Sequence, residues 1–541
     1  MKGQELLAGA AKAATYNVFL QLSIRMMTFV LNAVVLRYIS KDMLGVVNVR
    51  LTLLYSTALF ISTEAFDQTC LSKIEGKNWT QVVNLMWCSW PVSILCCGLL
   101  SFVWMFALAL PDEEVVPHYG WGVVSFAVAT IITILARPHF IVGQAHLFVK
   151  LRVLSVGLSE LTKCLTIVFL VINFPHLGLI SFSIGQIVHG IIYAAMYYLT
   201  FYWYLSDKSK PKDFVFQTPR DFLPQKPKDK EYLDGYMVSL TRSFFKQSLL
   251  KQFLTEGEKY VMTVFNVFSF GDQGIYDVIN NLGSMVPRFI FLPLEESGRL
   301  FFSQSLVRGK TYKDQSQDSV DLASRVLYSL LRVVMLLGML ILVFGYAYSF
   351  LALDWYGGKV LSAGTGPTLL RWYCLYVLIL AVNGITECFY FAAMSQTQID
   401  QYNRRMVLFS LAFLGASLLL TNRFESVGFI LANCINMCTR IAHSVHFIHN
   451  YYKGSTYRPL LGLVPSKSLL LTLTVSLVIT ASSEIVFCCE AGFLYQLLHI
   501  GIGGVCFLSV IGTILLTEAD LISFVREHLI YNKSDKQSKA E

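Results

Sequence analysis

Charge is scarce in this chain. Asp, Glu, Lys and Arg make up 14% of its 541 residues, where a soluble globular domain carries about a quarter. Proline is scarce too: there are 14, and Pro211, Pro219, Pro224 and Pro227 crowd into one short polar stretch. Nucleotide-binding and hydrolytic signatures are missing. There is no Walker phosphate loop, no Gly-x-Ser-x-Gly and no His-Glu-x-x-His, so phosphoryl transfer, serine hydrolysis and zinc proteolysis have nothing to rest on. The 12 cysteines show no metal-ligand spacing and read as apolar thiols. No basic stripe lies on a soluble domain, which argues against nucleic acid as a partner. Neither a cofactor nor a metal ion is expected, and no enzymatic activity.

What the chain has is apolar length. Hydrophobic residues make up 55% of it, in runs of bilayer-spanning size. Backbone polar groups in lipid must be satisfied within the segment, which favours helices, and the alternation of a membrane barrel is absent. About fourteen spans are expected, near 15–38, 43–65, 82–110, 119–143, 153–175, 179–204, 240–268, 275–305, 321–349, 367–393, 403–421, 427–451, 466–488 and 493–517. The stretch 240–268 is the weakest, because Arg242, Lys246, Lys251, Glu256, Glu258 and Lys259 interrupt it. The first run is long, lacks a small-residue cleavage site and reads as a signal anchor.

Loop charge sets the orientation. With a cytosolic N-terminus, the cytosolic loops hold most of the Lys and Arg, among them Lys150, Arg152, Lys208, Lys210, Lys212, Lys226, Lys228, Lys230, Lys310 and Lys313. The opposite side holds Lys41, Lys359 and Arg423 with the acidic Asp112-Glu113-Glu114. The bias places both termini in the cytosol, and the sequons at Asn78 and Asn532 with them.

The chain repeats itself. Gly45-Val46-Val47-Asn48-Val49 aligns with Gly274-Ile275-Tyr276-Asp277-Val278, and Gly178-Leu179-Ile180 with Gly428-Phe429-Ile430. At one constant spacing the run from Arg137 through Gly178 matches that from Glu387 through Gly428. Parallel repeats of one helical bundle are a transporter plan, with the cavity expected between them. The expected domains are an N-terminal six-helix bundle (1–205), a cytosolic linker (206–235) too polar to bury a core, a second six-helix bundle (236–452), two further helices (453–517) and a cytosolic tail (518–541). The fold class is thus an all-α polytopic membrane protein of two pseudo-symmetric bundles plus two C-terminal helices.

These runs resemble a known family. The two-bundle plan is similar to that of the multidrug, oligosaccharidyl-lipid and polysaccharide exporter superfamily. Within it, the run from Gly45 to Thr57, the run from Phe270 to Val278, Lys251-Gln252, the run from Leu254 to Glu258 and the run from Ser426 to Cys434 resemble one eukaryotic group across nearly the whole chain. That group serves translocation of the dolichol-linked oligosaccharide used in N-glycosylation. The resemblance implies a cargo, Man5GlcNAc2 on dolichyl diphosphate, an endoplasmic-reticulum membrane location, and contact with membrane lipids and other dolichol-pathway proteins. Direct flipping, a non-transporting glycolipid chaperone, and a cation-coupled drug exporter of the same fold all stay open, the last disfavoured by the cationic set below.

Buried cations suit such a cargo. A diphosphate diester is anionic, and arginine's planar fork donates two parallel hydrogen bonds to phosphate. An arginine in mid-membrane costs at least ~2.5–3.5 kcal/mol. Arg25 and Arg50, with Arg37 near a span end, are candidate cavity cations in the first half; related bacterial flippases of lipid-linked cell-wall precursors also carry cavity arginines on their first two spans. Arg242 and Lys246, four apart on one face, and Arg288 beside Pro287 are candidates in the second. Glu64, Arg137, Asp277, Glu295, Glu296 and Glu387 are candidate structural or gating charges. Glu64 is a possible partner for the first arginines, and Glu295 and Glu296 for Arg288 or Arg299. Glu160 and Lys163 should neutralise each other. Arg332 and Arg371 have no evident partner. His443, His446 and His449 recur on one face near a cytosolic end, where an interfacial polar stripe is favoured over metal binding.

Overall fold

The computed structural model describes residues 23–24, 26–72, 78–146, 148–206, 214–227, 231–265, 267–488, 492–519 and 521, apart from the side chains of 149, 250, 251, 253–255, 396, 400 and 403. Among the described residues all regular structure is helical. Nine helices are long and apolar enough to cross a membrane, and the pair Tyr119–Leu135 and Arg137–Ala145, bent by 44°, makes a tenth. The four other expected spans are less regular. The 15–38 run is described only in part, including the short apolar helix Met26–Leu36. The 240–268 run breaks at Glu256 into Gly235–Thr255 and Gly257–Phe265. The 275–305 run is spread over Phe270–Gly283, a wide turn at Pro287–Phe291 and Leu292–Ser305. Ser426–Tyr451 is continuous but more polar, with Arg440 and three histidines.

Helix starts are written in the sequence. Ser40, Asn78, Asp234 and Ser466 each accept a backbone N–H of the first turn, and Ser395 with Gln398 forms a reciprocal capping box, which satisfies donors the helix itself leaves open.

The chain forms two compact units, Met1–Ile275 and Tyr276–Glu541. The first extends well past residues 206–235, the stretch expected from the sequence to be a linker. Helix Gly235–Thr255 packs on Thr52–Leu71, where the Thr241 hydroxyl donates to Thr69 Oγ1 at 2.9 Å. Thr57 and the Tyr260 hydroxyl meet at 2.8 Å. The two glycines that open the first repeated motif also lie in this unit, against each other. A Cβ on Gly45 would sit 1.7 Å from the Phe270 carbonyl oxygen, and one on Gly274 would sit 2.5 Å from the Gly45 nitrogen. Helices Lys41–Gly45 and Phe270–Gly283 thus cross backbone to backbone. The second repeated pair is not equivalent in this way. Gly178 turns the chain at φ 49° ahead of helix Leu179–Ser206, whereas Gly428 lies inside helix Ser426–Tyr451 and Glu425 takes the positive φ of 52°.

The polar linker is more ordered than its composition suggests. Phe214, Phe216 and Phe222 are buried with Tyr197, Phe201 and Val83. The Phe222 and His139 rings stack at 4.2 Å. Asn84 holds the backbone from both sides: its carbonyl accepts from Gln225 N at 2.9 Å, and its amide donates to the Gln225 and Tyr232 carbonyls at 2.7 and 2.8 Å. Trp87 Nε1 donates to the Phe222 carbonyl at 2.8 Å. Three phenylalanines spread among lysines and prolines escape a compositional reading, yet they suffice to dock residues 214–227.

In the second unit the long helix Gln317–Gly357 packs on Gly366–Ala393 and on Lys467–Phe487. Two ion pairs fasten the C-terminal helices. Arg332 forks onto the Glu518 carboxylate, its Nε donating at 2.9 Å. Arg371 donates to Glu484 at 2.6 Å. Both arginines that lacked a partner in the sequence find one across this packing.

Candidate functional site

Intramembrane charge in the first unit forms a largely balanced interior seam. Arg137, at the start of its helix after the bend, donates to Asp67 at 3.0 Å, both side chains nearly buried. Its guanidinium also lies 4.7 Å from the centre of the Phe140 ring. Lys163 donates to Glu160 at 3.3 Å, as their spacing suggests, and His189 Nδ1 lies 3.5 Å from the other oxygen of that carboxylate. Tyr55 and Thr133 meet at 3.4 Å beside them. Glu64 accepts from Gln68 at 2.8 Å, one turn along its own helix.

Arg50 differs from its expected place. It is fully buried, inside a widened helical turn, Val46–Leu51, rather than facing open space. Its Nη1 donates to the Ala109 carbonyl at 3.1 Å, the guanidinium lies 4.9 Å from the centre of the Phe270 ring, and its own carbonyl accepts Trp104 Nε1 at 3.0 Å. The arginine joins three segments, with a carbonyl and a ring face among its partners. Arg25 lies outside the described residues. Arg37 is exposed, in the turn before Ser40.

The remaining candidate cations stand out from the packing. Arg242 and Lys246 are exposed on one face of helix Gly235–Thr255, while Met237, Thr241 and Ser248 of that helix are buried. Arg288 is exposed in the turn Pro287–Phe291. Glu295 is half-buried, with its carboxylate against Gly384, where a Cβ would lie 1.9 Å from it; Glu296 is exposed. Asp277 is buried and accepts from Asn281 at 2.9 Å, again within its own helix.

Glu387 is the best-satisfied acid of the second unit. Arg440 grips it side-on, Nε to Oε1 at 2.8 Å and Nη2 to Oε2 at 2.7 Å, and the Tyr402 hydroxyl donates to Oε1 at 2.5 Å. Sequence reading missed Asp67, His189, Arg440 and Tyr402. Arg440 left a signal, since it is the one Lys or Arg of the apolar run 427–451 and Glu387 needed a partner. Asp67 left none, because its span looks like a helix edge where carboxylates are ordinary. His443 and His446 are engaged by Arg405 and Asn450, each at 2.9 Å.

The described helices, long and apolar enough to cross a membrane many times, define a polytopic membrane protein. The protein-family description Rft protein matches residues 9–528, and the chain belongs to that family. A Xenopus tropicalis relative called Man(5)GlcNAc(2)-PP-dolichol translocation protein RFT1 is 47% identical over 538 residues, covering 99% of this chain and all of that one. The Mus musculus protein of the same name is 46% identical over 541 residues, covering 99% and 100%. Among solved structures, lipid II flippase MurJ in an inward closed conformation aligns at TM-score 0.62 and 13% identity, over 94% of this chain and 100% of that one. An inward-facing MATE multidrug transporter aligns at TM-score 0.55 and 11% identity, over 81% and 99%. At such identities these two structures establish a shared fold.

Proposed function

We propose that this chain moves, or is required to move, Man5GlcNAc2 on dolichyl diphosphate from the cytosolic to the lumenal leaflet of the endoplasmic reticulum, for protein N-glycosylation. The observation that carries this is the 47% identity, end to end, with a relative named for that translocation. The flippase fold of MurJ is in keeping with it. The chain acts without covalent chemistry and with both termini cytosolic, on a plan of about fourteen spans, six in each repeat and two beyond.

The physical task is to carry two ionised phosphate oxygens and a large sugar past hydrocarbon. A cationic, hydrated path lowers the electrostatic part of that barrier, and the dolichyl tail stays in lipid. Arg25, Arg37, Arg242, Lys246 and Arg288 are the proposed headgroup-binding set. Among the described residues, Arg242, Lys246 and Arg288 stand in no ion pair with the chain's own acids, so their charge is available to a phosphate. Arg50 acts as a positioning residue, tying the turn Val46–Leu51 to Ala109 and Phe270. Asp67 with Arg137, and Glu387 with Arg440, are structural pairs.

Purified protein in vesicles, loaded with the glycolipid and probed for headgroup exposure on the far side, tests the reading directly. Translocation that is lost in Arg25→Ala and partly kept in Arg25→Lys, at unchanged abundance, is the expected result. Binding without translocation would favour the chaperone. Neither binding nor translocation by well-folded protein would end the proposal.

A further inference from the structure

A cationic cavity lined by none of the proposed translocation charges lies at one end of the second unit. The loop 306–316, the junction of helices Gly366–Ala393 and Gln396–Phe424, and the last turns of Ser426–Tyr451 enclose a half-open cavity of about 650 Å³. That volume falls within the roughly 300–1,000 Å³ of small-molecule sites. Lys310, Lys313, Arg405 and Lys453 line it together with His443 and His446, and no Asp or Glu is among its described lining residues.

Two neighbouring acids among the described side chains are already engaged. Asp314 accepts from the Thr311 hydroxyl at 2.7 Å, and Glu387, behind the Tyr402 wall, is held by Arg440. Four like charges around one cavity repel each other, a cost that a bound anion removes.

The cavity is also built rather than incidental. Gly309 turns at φ 74° and its N–H donates to the Ala393 carbonyl at 2.9 Å, which sets Lys310 at the rim. Gln315 bridges loop and helix, accepting from Val307 N and donating to the Tyr451 hydroxyl, both at 2.8 Å. Gly454, at φ 86°, turns the chain next to Lys453. Arg405 Nη1 lies 2.9 Å from His443 Nε2. Guanidinium only donates, so this imidazole nitrogen accepts and the full arginine charge persists.

Beside the cations stand the rings of Tyr390, Phe447 and Tyr451 and the amides of Gln401 and Asn450. Aromatic faces pack against the C–H face of a cyclic polyol, amides answer its hydroxyls, and lysine and arginine answer phosphate. We infer that this cavity binds a phosphorylated polyol headgroup. Two sources share that chemistry: a membrane lipid such as a phosphoinositide, whose tail would rest beside the helix ends, and a soluble sugar phosphate. The inference is independent of the glycolipid cargo.

The test uses full-length protein in detergent and a fluorescent short-chain phosphatidylinositol 4-phosphate, read by polarisation. Competitors are free inositol 1,4-bisphosphate and short-chain phosphatidylserine, which has charge without a ring polyol. Wild type should bind, and phosphatidylserine should compete at least tenfold more weakly. Lys310→Gln with Lys313→Gln should weaken binding at least tenfold at an unchanged melting midpoint; both residues are exposed, so folding is spared. Lys359→Gln, at another exposed place in this unit, should bind as wild type does. Competition by the free headgroup assigns a headgroup-only site. Binding of the lipid without that competition assigns a lipid site, and either supports the inference. No binding by wild type, equal competition by phosphatidylserine, or wild-type affinity in the double variant overturns it. Vesicle translocation is measured separately, so failure here leaves the cargo assignment standing.

Discussion

Gly45→Ala would place a methyl carbon 1.7 Å from the Phe270 carbonyl oxygen and 2.6 Å from its carbon. Both are backbone atoms, so no side-chain rotation relieves the overlap. Ordinary contact begins near 3.4 Å, and the two helices must part by about that shortfall in a packing that does not compress. Forced overpacking typically costs ~1–3 kcal/mol, and a backbone clash belongs at the upper end. Removing a helical glycine returns about 1 kcal/mol of propensity. The net is a loss of about 2 kcal/mol, or roughly thirty-fold in the folded-to-unfolded ratio. The assay is the melting midpoint of purified protein in one detergent, followed by intrinsic fluorescence. The control is Gly98→Ala, since a Cβ there meets nothing within 4 Å; it should melt at or slightly above the parent. Gly274→Ala should behave like Gly45→Ala, because its Cβ meets the same crossing from the other side at 2.5 Å. The double variant should lose less than the sum, since helices already parted admit a second methyl. A Gly45→Ala protein that melts with the Gly98→Ala control would refute the backbone crossing.

Other consequences are equally open to measurement. Glu387→Gln should lower the melting midpoint strongly, by ~3 kcal/mol or more, because it leaves Arg440 without its counter-charge; Arg440→Gln added to it should recover part of the loss in a double-mutant cycle. Glu518→Ala strips Arg332 of its partner and should free the two C-terminal helices to limited proteolysis before the rest of the chain. Phe216→Ala removes a side chain that is 2% exposed and should undock residues 214–227, read as faster tryptic cleavage at the adjacent lysines. Acid should loosen the same segment. His146, just beyond helix Arg137–Ala145, stacks on Trp79 at 5.4 Å, and burial lowers its pKa below the usual imidazole value of about 6.5. The native state therefore binds fewer protons than the unfolded one, and its stability falls as pH drops below about 6.5; cleavage that is no faster at pH 5 than at pH 7.5, with a protease active at both, would contradict this.

The sequence by itself determined the membrane class, the helical architecture and most of the spans, because apolar length and backbone satisfaction in lipid are local demands that each segment meets alone. Cap residues such as Ser40, Asp234 and Ser395 fixed helix starts for the same reason, and the Glu160–Lys163 pair was legible because its members stand three apart on one helix. Long runs such as those from Gly45 to Thr57 and from Ser426 to Cys434 carried the family. Tertiary structure decided what depends on two segments meeting. Asp67 meets Arg137, Glu387 meets Arg440, and Arg332 meets Glu518 across separations no periodicity reports. Arg50 looked like a cation for a cavity and is instead buried on a carbonyl and a ring, since its fate depends on Ala109 and Phe270 being there. The polar linker docks because three phenylalanines find a place among Tyr197, Phe201 and His139, a match that composition averages away. The repeated glycines were visible as a motif, but only the fold shows that one of them packs against its own copy. Bringing two backbones that close needs two positions without a Cβ, and the sequence shows each glycine without showing which faces which.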